Sequence, residues 1–524
     1  MSDLESNAAP EPAVPAGSRP SNALLAIVLV VILVILGGGG WLVYDKVIKS
    51  DDSSSASLPT TVLPASTIAI ATVDANPSLS EKLNVLKFIG KFPSLKSRVT
   101  IGANDDPRQW IVTQILKSTH CPSLSYSADF HGWLGSHAAL GAVDVGATDP
   151  APVLALQTSD PSAASKAFKK VVACNSAHDF FFQVVGGYLV GSDTQAHLNT
   201  IVSAAKSAPL SGDATYRKWN SAVGDPGLLT FYVAPRALKM LFDSVGALPA
   251  CDSDILTKAL GQFTGIAGSL TATDDGLELV ARVGTKQPVT TNTALGQAVT
   301  QLPSDTALVL GFAPSAAASK AALGKVPAGC QGAGGFPSPT RIFAMIQQRT
   351  GLSLPGDIET LLGKAFILTL GGNAPADLNQ IQGPSAVPLG IEVQGDTAKI
   401  QGVLAKIEKK LGVSLARMGL VQKVSGGRFI LATNQSYAGA ISTQGALGAD
   451  PEFLSAVPSA SKAQVILFVR IDSAWRTAIL NSVGQAGDSG VATAAANTAG
   501  LSAFGVSGWY ENGAVVIDMK LTTK

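Results

Sequence analysis

GIAGSLTATDDGLELVARV (residues 265–283) and GVSGWYENGAVVIDMKL (residues 505–521) close the two halves of this chain in the same way. Each reads as two apolar-rich strands around a polar turn, Asp275-Gly276 in the first and Asn512-Gly513 in the second, the signature of a tight antiparallel hairpin. Gly265 and Gly268 recur 240 positions on, as Gly505 and Gly508. The recurrence decides the fold, because the elements before it recur too.

VILFVRI (465–471) answers LLTFYVA (228–234), and Asp450-Pro451-Glu452-Phe453 answers Asp213-Ala214-Thr215-Tyr216. VQKVSGGRFILAT (421–433) answers FFFQVVGGYLVGSD (180–193), two hairpins around Gly426-Gly427 and Gly186-Gly187, a pair that a type I′ turn tolerates. VPLGIEVQGDTAKIQGVLAKIEKKLG (387–412) repeats the strand PVLALQ (152–157) and the helix after it. Leu361-Leu362-Gly363 answers Trp133-Leu134-Gly135, SPTRIFAMIQQRTG (338–351) answers DPRQWIVTQILK (106–117), and Leu302-Pro303 answers Leu63-Pro64. Spacings drift between 228 and 240, as they do where loops vary and elements persist. The pattern predicts an α+β fold, internally duplicated, with mostly antiparallel sheets and helices packed on one face. The first repeat spans 58–290 and the second 291–524.

Ahead of the repeats, ALLAIVLVVILVILGGGGWLVY (23–44) carries no charge and is long enough to span a bilayer as a helix. Trp41 and Tyr44 sit where interfacial aromatics belong, with Lys46 and Lys49 beyond them. The preceding tail, 1–22, is rich in Pro, Ala, Ser and Glu, and residues 45–57 form a polar tether. A cleaved secretory signal would need a basic start and a small-residue exit, which this segment lacks, so it reads as an uncleaved single-pass anchor. Lys46 and Lys49 against Arg19 favour a cytoplasmic C-terminus. The cysteines and the size of the following domain favour the opposite arrangement, a cytoplasmic N-terminus and an extracytoplasmic body, which is the expectation adopted.

A formal net charge of +1 disfavours a nucleic-acid partner. The four cysteines, Cys121, Cys174, Cys251 and Cys330, all follow the anchor, and none stands at a zinc-ligand spacing. Two disulfides on an oxidising face suit them, with three connectivities open, and four buried thiols are the plainer alternative. Neither a metal nor another cofactor is expected. Gly487-Asp488-Ser489-Gly490 looks like a serine-protease nucleophile loop, but all five histidines (120, 131, 137, 178 and 197) lie in the first repeat, so it reads as a linker. His131 and His137 flank Trp133 with Asp129 nearby, and the second repeat has Glu359, Leu361 and Lys364 there instead. No phosphate-binding glycine motif follows a strand. Lys87, Lys91, Lys96 and Arg98 form a small basic cluster that reads as a solvated face, with anionic lipid headgroups as the other reading.

Leu63, Pro64, Asp74, Asn76, Pro77, Ser78, Lys82, Leu86, Phe88, Lys91, Phe92 and Pro93 form a run of spaced identities. Together with Trp133-Leu134-Gly135 and Leu154-Ala155-Leu156-Gln157…Asp160-Pro161, this run resembles a membrane-anchored actinobacterial family, the domain of unknown function numbered 3352. The resemblance spans roughly 60–520. It implies a single anchor and an extracytoplasmic domain, and it brings no catalytic residues. The leading expectation is therefore a non-enzymatic binding or scaffold module of the cell envelope, acting on a lipid, glycan or protein partner and held to membrane lipid by its anchor. A hydrolase with dispersed catalytic residues and a signal transducer working through the tail are the alternatives.

Overall fold

The structure is a computed structural model. It describes residues 58–524 apart from 76, 100–105, 119–120, 148, 175–179, 225, 238–239, 241–260, 287–290, 315–344, 346, 355, 374, 376–377, 379–380, 382 and 486–489. The tail, the 23–44 segment and the tether lie outside the described residues, and among the described residues no helix is long and apolar enough to cross a membrane.

The fold is α+β and is built on one antiparallel sheet. Its first eight strands are β1 Thr67–Asp74, β2 Leu134–Val143, β3 Ala151–Thr158, β4 Phe181–Val185, β5 Tyr188–Ser192, β6 Leu229–Val233, β7 Phe263–Thr273 and β8 Gly276–Thr285. The next eight are β9 Leu308–Phe312, β10 Ala365–Leu370, β11 Leu389–Gln394, β12 Val421–Ser425, β13 Arg428–Ala432, β14 Val465–Arg470, β15 Leu501–Glu511 and β16 Ala514–Thr523. From one edge the order runs β4-β5-β3-β2-β1-β6-β7-β8, and from the other β12-β13-β11-β10-β9-β14-β15-β16. The two runs meet where β8 pairs with β16, from Gly276 opposite Thr522 to Gly284 opposite Ala514.

Turn chemistry sets the registers. Gly186, Gly187, Gly426 and Gly427 all have φ between 56° and 77°, and Asn512-Gly513 follows with 52° and 80°, the two left-handed residues that a type I′ turn requires. The first-half counterpart of that last turn differs from expectation. Thr273 faces Gly276 across the turn, so Asp274-Asp275 is the turn and Gly276 already belongs to β8, whereas Glu511 faces Ala514 around Asn512-Gly513. The structural spacing of this hairpin is thus 238 (274 to 512), not the 240 suggested by the glycines. At 238, residue 280 corresponds to 518, and Val280 is the residue paired with Asp518 across the β8–β16 seam. The local two-fold of the strand order therefore passes between Val280 and Asp518.

Helices cover both faces of the sheet, which corrects the expectation of one. In the first half the helices are α1 Leu79–Gly90, α2 Pro93–Arg98, α3 Pro107–Ser118, α4 Pro161–Cys174, α5 Gln195–Ser207 and α6 Ala214–Val223. The second half has α7 Ala294–Thr300, α8 Gly356–Leu362, α9 Thr397–Leu411, α10 Gln435–Ser442, α11 Pro451–Ala456, α12 Ala474–Gln485 and α13 Val491–Thr498. Ala151, Val153 and Ala155 of β3 pack in a core with Leu198 and Ile201 of α5 and Trp219 of α6. The intervening Leu154 and Leu156 pack with Val112 and Leu116 of α3 and Phe168 of α4. The second half does the same around β10: Ala365 and Ile367 join one core with α7, α10 and α11, and Phe366 joins another with Ile400 and Leu404 of α9. A strand buried on both faces has to be apolar at both parities, and PVLALQ is.

Candidate functional site

One polar device recurs in both halves. Asp129 is buried at the end of α3's following loop, within a single π turn, Tyr126–Phe130. One of its oxygens accepts the Ser125 N–H at 3.0 Å, and the other accepts Lys170 Nζ from α4 at 2.6 Å. In the second half Asp357 accepts the Ser353 N–H at 2.6 Å and Lys406 Nζ from α9 at 2.9 Å. Burial works against the charge of Asp129, but the lysine and the backbone N–H outweigh it and hold the carboxyl below the usual range. For Asp357 the Ser353 N–H is the main lowering influence, aided by Lys406. The sequence signal was there: Leu-Ser-x-x-x-Asp-x-x-x-x-Leu-Gly stands at 124–135 and again at 352–363. In both places the pair ties the turn ahead of a strand pair to the helix that follows that pair, which is a structural task.

A recess lies beside this device in the first half. It is a cleft of about 520 Å³ between α3 and residues 121–127. Leu116, Leu124, Tyr126 and Cys121 are buried in its floor, and Gln109, Thr113, Lys117, Ser125 and Ser127 line it with polar groups. Two fixtures hold the floor. Cys121 is bonded to Cys174 at the end of α4, with Cα atoms 5.8 Å apart. Tyr126 donates its hydroxyl to Asp106, which also takes Arg108 Nε at 2.9 Å and Nη2 at 2.8 Å, while Arg108 Nη1 donates to the Leu134 carbonyl. Burial opposes the Asp106 charge, yet the hydrogen bonds from Arg108 and Tyr126 prevail and keep it low. Burial, then the hydrogen bond to Asp106, pushes the Tyr126 phenol up. An apolar floor with a hydroxyl-bearing rim suits an amphipathic ligand, and the volume falls within the range of small-molecule sites.

Of the four cysteines, Cys121 and Cys174 are joined, and Cys251 and Cys330 lie outside the described residues. His137 Nδ1 contacts Gln157 Oε1 at 3.1 Å and its Nε2 is 3.9 Å from Asp74, while His131 is exposed. His197 Nδ1, in the first turn of α5, meets Asp193 just ahead of that helix at 2.8 Å. These histidines are not brought together, and His120, His178 and Asp488-Ser489 lie outside the described residues. Lys87 and Lys96 are exposed, and Lys91 packs on Gly500. Among the described residues, no group of His, Cys, Asp and Glu is placed to hold a metal ion. A second cleft, about 330 Å³, contains Arg470. That guanidinium is already committed to Asp450 at 3.0 Å, to Glu452, and to the Ser304 and Thr306 carbonyls at 2.9 and 3.2 Å.

Two buried carboxyls stand apart from the ion pairs that sequence reading could anticipate. Asp518 is 5% exposed, at the centre of the β8–β16 seam, with Ser507 opposite it on β15. Burial, and then the charge of Glu278, pushes its carboxyl up to about 7, against the pull of Lys520. Lys520 itself is turned to Asp275 at 2.9 Å. Glu392 is fully buried, and burial pushes it up to about 7 although Arg428 Nη1 lies 3.2 Å away. No protein-family model matches the chain, and neither a curated protein nor a solved structure matches it.

Proposed function

We propose that the chain is a membrane-tethered, extracytoplasmic, non-enzymatic binding module that takes an amphipathic ligand in the α3 cleft. The cleft carries this reading: an apolar floor of Leu116, Leu124 and Tyr126 lies under a rim of hydroxyls and one lysine, Lys117, and this is the chemistry of a lipid-like molecule. The extracytoplasmic placement rests on the uncharged 23–44 segment and on Cys121–Cys174, since disulfides persist in oxidising compartments. The halves are proposed to descend from a duplication, supported by the strand order read from either edge and by the twinned Asp129–Lys170 and Asp357–Lys406 pairs. The resemblance to the domain of unknown function numbered 3352 agrees with the tethered, extracytoplasmic reading.

Native mass spectrometry of the full chain extracted in mild detergent tests it. A bound amphipathic molecule is expected on the wild type and lost from Thr113→Trp, whose side chain fills the cleft. A wild type without adduct, or an adduct that Thr113→Trp retains, would refute the cleft as the site.

A further inference from the structure

We propose that two copies of this chain pair edge to edge through β4, extending the sheet across a molecular two-fold at Gln183. β4 and β12 are the two outer strands of the sheet, and among the described residues nothing pairs with their free sides. The edges are counterparts, since Gln183 stands where Lys423 stands, 240 positions on, both counted from their Gly-Gly turns. Their chemistry differs. β12, Val-Gln-Lys-Val-Ser, exposes Gln422, Lys423 and Val424, and an edge lysine is a standard means of keeping strands from pairing. β4, Phe-Phe-Gln-Val-Val, has no charge and no proline.

The occupant follows from the register. Val185 and Tyr188 close a two-residue hairpin, so Val185, Gln183 and Phe181 turn their backbone groups to β5, and Phe182 and Val184 turn theirs outward. An antiparallel partner strand identical to β4 and centred on Gln183 sets Phe182 against Val184 of the other copy on both sides of the axis, satisfying every outward N–H and C=O of those residues. It also sets Phe181 against Val185. Each pair flanking the axis is then aromatic against β-branched, a favourable combination across strands. The side chains are already held: Phe182 and Val184 pack with the α3–α4 core, and Phe181 and Val185 with the α5 core. The same operation on β12 would oppose Lys423 to itself. A closed, isologous contact of this kind yields a dimer and no fibre.

The test is light scattering on the detergent-solubilised full chain, with circular dichroism to confirm folding. A dimer is expected for the wild type and for Lys423→Gln, and Gln183→Lys should halve the protein mass. Gln183→Cys should run as a cross-linked dimer on a non-reducing gel, and this readout decides the matter if Gln183→Lys fails to fold. A monomeric wild type, a dimer that survives Gln183→Lys, or no cross-link from Gln183→Cys would each overturn the proposal.

Discussion

Asp518→Asn should make the protein more stable at pH 8 and leave it nearly unchanged at pH 4. The carboxyl sits at the middle of the seam joining the halves, 5% exposed, and is pushed up to about 7 from an ordinary value of 3.8. The folded state therefore binds this proton more tightly than the unfolded chain does. Stability from this group is complete below about pH 4, falls between pH 4 and 7 as the unfolded chain ionises first, and is flat above. Three pH units at 1.36 kcal/mol each set a ceiling of about 4 kcal/mol. An asparagine amide can donate to Glu278 as the protonated acid does, so the substitution removes the titration and keeps the shape. Other carboxyls shape the raw curve: Glu392 in the same sense, and Asp106, Asp129, Asp275 and Asp357, held low, in the opposite sense, losing their contribution as the medium is acidified. The wild-type-minus-variant difference cancels them. Urea midpoints of both proteins, measured from pH 4 to 8, should diverge by up to about 4 kcal/mol in favour of the variant as pH rises. An offset that stays constant across that range would refute the reasoning.

Removing the disulfide with Cys121→Ser and Cys174→Ser should cost about 4 kcal/mol, the chain-entropy value for its separation of 53 residues, read as a lower urea midpoint that reductant no longer changes. Asp129→Asn and Asp357→Asn should each cost roughly 1.5–3 kcal/mol, and the two losses should add in the double variant, since they sit in separate cores. Two glycine substitutions should have opposite signs. At Gly276 a methyl would lie 2.0 Å from the Leu521 carbonyl oxygen across the seam, so Gly276→Ala should destabilise by about 1–3 kcal/mol, whereas Gly402→Ala, in α9 with nothing within 4 Å, should stabilise by about 0.5–1 kcal/mol. Thermal denaturation ranks all of these.

Much of the fold was legible because hairpins advertise themselves locally. Gly-Gly pairs between apolar runs can do little else, and both turned where expected. Asp274-Asp275-Gly276 was ambiguous because either the Asp-Gly or the Asp-Asp step can turn, and only pairing to β16 places Gly276 inside a strand. Helices on both faces are signalled by the unbroken apolar run of β3, which a pattern of strict alternation does not capture. The Asp129 and Asp357 pairs were missed for a different reason. His131 and His137 are the rarer residues and stand out in the sequence, although the aspartate four positions after Leu-Ser is what recurs. The pairing of Cys121 with Cys174 depends on where α4 ends against the loop after α3, which spacing does not encode. Asp518 is hidden more deeply still, since within β16 it alternates with apolar residues as a solvent-facing residue would.

The two halves act as controls for one another. What they share, the hairpins, the strand order and the Asp–Lys ties, serves the scaffold, because it persists wherever the sheet does. What only one half has is open to other uses. Counting back from Ser353 and along α9 from Lys406, the places of Cys121 and Cys174 hold Arg349 and Lys410, two cations that no covalent bond could join. The places of Glu392 and Arg428 are held in the first half by Ala155 and Tyr188, an uncharged pair in a largely apolar core. The second half thus encloses an ion pair that packing alone does not require, since the same geometry is filled without one next door. The first half instead staples a loop and opens a cleft beside the staple. A rigid cleft loses less entropy when a ligand settles in it, so a staple placed there favours binding as well as stability. That argument separates the two effects of reduction: cleaving Cys121–Cys174 at temperatures where the fold survives should still weaken ligand retention, and retention unchanged by reductant would leave the disulfide a structural device only.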